Sequence, residues 1–207
     1  MYLRYRSVSL CVRNSDLTKA KILKKSGVLF NTQGYKATSI SDITTATGLT
    51  KGAIYRHFKN KAVLEKETLF HLSSFALDRL REYVKGESTA GNKLRATFRF
   101  FESYVTRPEV KGGCPLMNVA IEADDAHPSL RREAIKVLDI YRDSVIVILK
   151  NGIRFKQIKP DIDPDFYATL CIASLEGAIM MSRLRGNNDD IRKILRHLEL
   201  QLKAIEI

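Results

Sequence analysis

The chain has 207 residues, 44% hydrophobic and 28% charged, with five prolines and eleven glycines, and a formal net charge of +12. That length buries a sizeable core, while so few turn formers argue against a strand-rich fold. No apolar run is long enough to cross a bilayer, Arg4, Arg6 and Arg13 leave no signal-peptide core, and Cys11, Cys114 and Cys171 lack metal-ligand spacing, as suits a reducing cytoplasm.

Residues 1–14 have no clear period and read as a flexible basic arm. A first helix is expected from about Asp16 to Thr32, with Ile22, Leu23, Ser26, Leu29 and Phe30 inward and Gly34 closing it. Ser39-x-x-Asp42 has the form of a capping box with Asp in place of Glu, opening a short helix with Ile40, Ile43 and Ala46 inward and Gly48 at its end. A third helix then lies in TGLTKGAIYRHFKNK, residues 47–61. Thr50 is its N-cap, and Leu49 and Ile54 occupy the positions of a hydrophobic staple. At about 100° per residue, Ile54 and Phe58 share the buried side; Gly52, Ala53 and Arg56 lie opposite, flanked by Lys51, Tyr55 and His57.

A long helix follows Asn60 to about Val84, its apolar stripe including Leu64, Leu69, Leu72, Phe75, Ala76 and Leu80. GESTAGN breaks the pattern, which resumes from Lys93 with Leu94, Phe98, Phe101 and Tyr104. After RPEVKGG, Cys114-Pro115 opens a short helix, Pro standing at the first helical position. His127-Pro128 opens a long helix to about Phe155, and Asp163-Pro164 opens one to about Arg185 with Met181 on its stripe. The last carries Ile191, Leu195, Leu198, Leu202 and Ile205. Nothing alternates with period two, so the chain reads as all-α.

Charge is unevenly spread. Residues 1–66 hold thirteen lysines and arginines against Asp16, Asp42 and Glu65, a balance of +10 out of +12. By itself this leaves two readings open, a polyanion-facing module or a basic, solvated surface. The third helix separates them. Small residues in its first turn let the positive end of the helix dipole approach a phosphate or base edge. Tyr55 and His57 can grip phosphates, and Lys51 or Arg56 can reach a base. With the preceding short helix it forms a helix-turn-helix. An enzyme is disfavoured: no HExxH, GxSxG, phosphate-binding loop or dinucleotide fingerprint occurs, His57, His71, His127 and His197 are scattered, and no cofactor or metal is implied. A basic architectural or membrane-surface protein would need no helix-turn-helix spacing.

The run ILKKSGVLFNTQGYKATSISDITTATGLTKGAIYRHFKNKAVL resembles the N-terminal signature of the tetracycline-repressor (TetR/AcrR) family of bacterial transcriptional regulators, over about residues 17–66. The resemblance implies a three-helix helix-turn-helix DNA-binding domain, placed at 15–62, on a helical-bundle ligand-binding and dimerisation domain at 63–207. It implies phosphate contacts near Thr38 and Ser39 and at Tyr55, His57 and Lys61, and groove contacts from Ser41, Lys51, Gly52 and Ala53. Ser41 stands where many relatives carry Arg, and Thr44, Thr45 and Thr47 where they often carry alanine. It further implies a cytoplasmic, nucleoid-associated homodimer, joined through the last two helices (about 164–185 and 189–205), that leaves double-stranded operator DNA when a small effector binds. For a hydrophobic or aromatic effector the candidate contacts are Phe98, Phe101, Tyr104, Cys114, Met117, Tyr141 and Met180. GGCPLMN is familiar from one branch of the family; Cys114, at a helix start, is weighed as an electrophile sensor against simple packing. The small residues Ala168, Ala173, Ser174, Gly177 and Ala178 and the apolar repeat of the last helix are assigned to the dimer interface.

Overall fold

The computed structural model describes residues 14–108, 110–123 and 127–207; of the arm expected over 1–14, residues 1–13 lie outside them and Asn14 opens the first helix. Nine α-helices follow one another among the described residues: α1 (Asn14–Gln33), α2 (Ile40–Thr47), α3 (Lys51–His57), α4 (Lys61–Val84), α5 (Ala90–Thr106), α6 (Pro115–Ala123), α7 (Pro128–Arg154), α8 (Pro164–Arg185) and α9 (Asp189–Ile205). No strand forms among them; one isolated antiparallel bridge joins Ile158 to Glu206.

The helix ends explain the lengths. Ser39 accepts from Asp42 N while the Asp42 carboxylate accepts from Ser39 N, so Asp completes a full capping box around α2. Gly48 at φ 67° ends α2 in the left-handed region that a side chain disfavours. Thr50 and Asn60 cap α3 and α4 by accepting from Ala53 N and Val63 N. Helix α5 begins at Ala90, one turn before the expected start at Lys93. Thr89 accepts from Asn92 N, and this cap carries the helix through a glycine-containing turn that reads as a break in sequence.

Two apolar cores hold the helices. One gathers Ile22, Phe30, Tyr35, Ile43, Ile54 and Phe58 of the first three helices and the turns after them with Leu64, Leu69, Phe100, Tyr104, Leu116, Val119 and Leu130. It runs without a break across residue 62, because α4 itself crosses that point. The second packs Leu94, Phe98, Leu149, Cys171, Ile179, Ile191, Leu198 and Leu202 around α8 and α9. Phe75 and Met181, expected on inward stripes, are exposed instead. Arg95 ties α5 to the chain end, donating to both Glu199 (3.1 Å) and Glu206 (2.6 Å). No described helix is long and apolar enough to cross a membrane.

Candidate DNA-binding surface and effector cavity

Helix α3 stands on Ile54 and Phe58, both buried, so its other faces are free to meet a partner. Lys51, Gly52, Tyr55 and Arg56 are exposed, and Ala53 and His57 partly so. Lys51 Nζ lies 5.9 Å from the centroid of the Tyr55 ring, a cation–π approach that keeps the two together at the helix start. Gly52 has no positive φ, and a Cβ built on it would meet no atom of the described residues within 4 Å. Nothing inside the fold therefore calls for glycine at this position, although glycine is a poor helix former.

The other expected DNA contacts divide. Ser41 is exposed, but its carbonyl accepts from the hydroxyls of Thr44 (2.7 Å) and Thr45 (3.1 Å). Ser39 is exposed and committed to its capping box. Thr38 is fully buried and donates its hydroxyl to the Gly34 carbonyl (2.7 Å), so its side chain is removed from any phosphate. Lys61 also turns inward, donating to the Tyr35 carbonyl (2.7 Å) and pairing with Glu65 (3.3 Å). It braces the α1–α2 turn while staying partly exposed.

The link between the two halves was not foreseen. Asn118 of α6 donates to the Asn31 carbonyl (3.1 Å), Asn31 Oδ1 (2.9 Å) and the Gly112 carbonyl (3.1 Å). Asn31 in turn donates to the carbonyls of Lys111 and Gly113, both at 2.9 Å. One turn on, the Glu122 carboxylate accepts from Tyr35 N and Lys36 N, each at 3.0 Å. Gly112, at φ 102°, lets the loop approach so closely that a Cβ would run into the Asn31 carbonyl. Thus α6 and the loop before it grip the end of α1 and the turn after it. The GGCPLMN run contains Gly112 and Asn118, but only the fold reveals Asn31 and Glu122 as their partners.

A cavity of about 740 Å3 lies between α4, α5, α7 and α8, within the usual size of a small-molecule site. Its walls include Leu77, Leu80, Phe101, Val145, Ile148 and Leu175, with Tyr141 and Glu176 also lining it. It opens between the C-terminal halves of α4 and α7, where the lining residues Arg81, Lys85, Ser144, Val147 and Arg154 are exposed. Of the expected effector contacts, Phe101 and Tyr141 line this cavity. Tyr104 and Cys114 border a much smaller void beside those same two rings. Phe98 is buried in the second core, Met117 packs between both cores, and Met180 is exposed on α8.

Cys114 is 4% exposed and donates to Glu176 Oε1 at 3.0 Å. Burial, then the nearby Glu176 carboxylate, pushes its thiol well above the ordinary range, outweighing the α6 N–H groups that favour a thiolate. The environment is that of a packed thiol and opposes the activated-cysteine alternative. Burial likewise raises the Glu176 carboxyl. Glu176 was not foreseen either; a single glutamate in an amphipathic helix carries no sequence mark of being turned inward.

Part of the residue set expected at the interface is turned inward. Ile191, Leu198 and Leu202 of α9, and Ala168 and Ala178 of α8, are buried within the subunit itself. What faces outward on α8 is Phe166, Ala173, Met180, Met181 and Leu184, with Gly177 partly exposed, and Leu200 on α9. Helical periodicity finds an apolar face but cannot say which neighbour covers it.

Comparison with known proteins agrees with this architecture. The family described as bacterial regulatory proteins, tetR family, matches residues 22–68, and the tetracyclin repressor-like C-terminal domain matches residues 90–198. A TetR transcriptional regulator from Chloroflexus aurantiacus has 34% identity and a TM-score of 0.89, over 94% of this chain and 98% of that one. A TetR-family regulator from Cytophaga hutchinsonii has 31% identity and a TM-score of 0.86, over 95% and 98%. The HTH-type transcriptional regulator TtgR of Pseudomonas putida is 26% identical over 84% of each chain. The repressor DhaR of a Mycobacterium species is 22% identical over 84% of this chain and 86% of its own. A helix-turn-helix unit locked to a hollow helical bundle, matched in both halves by one family, makes this chain a TetR-family transcriptional regulator.

Proposed function

We propose that the protein is a ligand-responsive repressor, acting in the cytoplasm on the nucleoid, that grips a palindromic operator as a homodimer and leaves it when a small apolar or aromatic effector enters the cavity. The observation that carries DNA reading is the bare start of α3: Gly52 and Ala53, ringed by Lys51, Tyr55 and Arg56, where no contact among the described residues requires glycine. Lys51, Gly52 and Ala53 set sequence preference at the groove; Tyr55, Arg56 and His57 hold the duplex. The outward α8 stripe and Leu200 support pairing of two copies through α8 and α9. A C2 dimer of this kind sets two α3 helices in successive major grooves, about 34–36 Å apart.

Release follows as a population shift. An effector between α4, α5, α7 and α8 favours a bundle in which α6 sits differently, and α6 is the element that holds the end of α1. Operators selected from random duplexes, then titrated by fluorescence anisotropy, test the whole reading. Expected are a palindromic consensus, affinity that falls steeply with salt, and weaker binding with an effector present. Equal affinity for every duplex would sink the proposal.

A further inference from the structure

The cavity contains one group whose chemistry is unfinished. Glu176 lines it beside Tyr141, and its carboxylate Oε1 accepts from Cys114. The other oxygen, Oε2, is buried with no hydrogen-bond partner among the described residues. A buried acceptor without a donor is costly to leave so, and a ligand that supplies the donor, once a turn of the carboxyl presents Oε2 to the cavity, recovers that cost.

The charges around the cavity narrow which donor fits. Arg81, Lys85 and Arg154 are exposed at the opening and Lys93 also lines the cavity, with Glu82 as the acidic residue beside them. Arg81 is paired with Asp78. No carboxylate of the described residues lies within ion-pair reach of Lys85, Lys93 or Arg154. A cationic ligand must therefore pass a predominantly positive opening before it meets Glu176. An anionic group carried inward to Glu176 meets a carboxyl, while the exposed Arg81, Lys85 and Arg154 stay behind at the opening. A neutral hydroxyl avoids both penalties. It is also a donor and an acceptor at once, so it complements Glu176 whether the carboxyl is charged or, as its burial favours, protonated.

We infer that Glu176 reads a neutral hydroxyl group, phenolic or aliphatic, on an otherwise apolar effector whose body lies along Leu77, Phe101, Ile148 and Leu175. The inference rests on the reading of this cavity as the effector site and adds its ligand class. It also gives Glu176 a second role as a positioning residue. Its carboxyl holds Cys114, the residue immediately before α6, so a ligand that engages Glu176 shares a group with the helix that grips α1.

Calorimetry on the full chain with matched probes tests this. 4-Butylphenol should bind about tenfold tighter than 4-butylanisole, the weight of one hydrogen bond, and tighter than 4-butylbenzylamine or 4-butylbenzoate. In Glu176→Leu the phenol's advantage over the anisole should shrink to about twofold, with anisole affinity little altered; in Glu176→Gln, which keeps an acceptor and the side chain's shape, it should remain at about threefold. Circular dichroism establishes that each variant is folded, and the glutamine variant decides if the leucine variant is not. An undiminished phenol preference in the folded variants, tighter binding of the amine or benzoate, or no binding of any probe would overturn the inference. Ile148→Trp, which fills the cavity, separates the two levels. If it abolishes binding while the Glu176 variants keep the full preference, only the ligand class fails. If phenol binding survives it, the cavity is not the site.

Discussion

Gly52 is costly for the fold and, on the proposed reading, useful outside it. Its helical backbone and open surroundings allow alanine without strain. Gly52→Ala should therefore raise the urea-unfolding stability by about 0.5 kcal/mol while lowering operator affinity about tenfold, read by anisotropy. Opposite signs in the two measurements are the mark of a residue kept for a partner. Cys114 makes the reverse case. With its thiol raised by burial, it should resist iodoacetamide at neutral pH and become reactive only when the chain unfolds, as peptide mapping by mass spectrometry would show. The apolar side of α3 was legible in sequence because Ile54 and Phe58 obey helical period. The inward turn of Thr38 and Lys61 was not, because it depends on the Gly34 and Tyr35 carbonyls, which only the folded α1–α2 turn presents.

At the scale of elements, short helices depend on their ends. Ser39→Ala removes the acceptor for Asp42 N and should cost about 1 kcal/mol in thermal unfolding. Helix α6 depends on its outward grip. Asn118→Ala should leave operator affinity without effector nearly unchanged, yet reduce the effector's weakening of DNA binding from tenfold or more to about twofold. A variant that loses DNA binding outright would show Asn118 serving the fold and not the coupling. The number and order of the helices could be read from periodicity, proline and cap residues. The grip of α6 could not, because Asn31 and Asn118 stand far apart in the chain and hydrogen-bond pairing leaves no period.

For the whole molecule, the proposed pairing would set the spacing of the reading heads. Replacing Met180 and Leu184 together by glutamate should give a monomer by light scattering, with operator affinity reduced about a hundredfold as the second site is lost. Both side chains are exposed in the single subunit, so its own folding should survive. The buried residues of α9 make the opposite forecast: Leu198→Glu should unfold the chain before it separates any dimer.

The position of the opening has a kinetic consequence. Helix α4 leaves the helix-turn-helix unit at Lys61, and the lining residues it contributes, Leu77 to Val84, lie in its far third. An occupied operator would leave that entrance uncovered. An effector could then attack the bound complex directly without waiting for a free copy, and the departure rate from DNA should climb with effector concentration past the spontaneous value. A chase with unlabelled operator, repeated at rising effector, would record that climb; a rate held flat would mean that the effector only captures repressor already in solution.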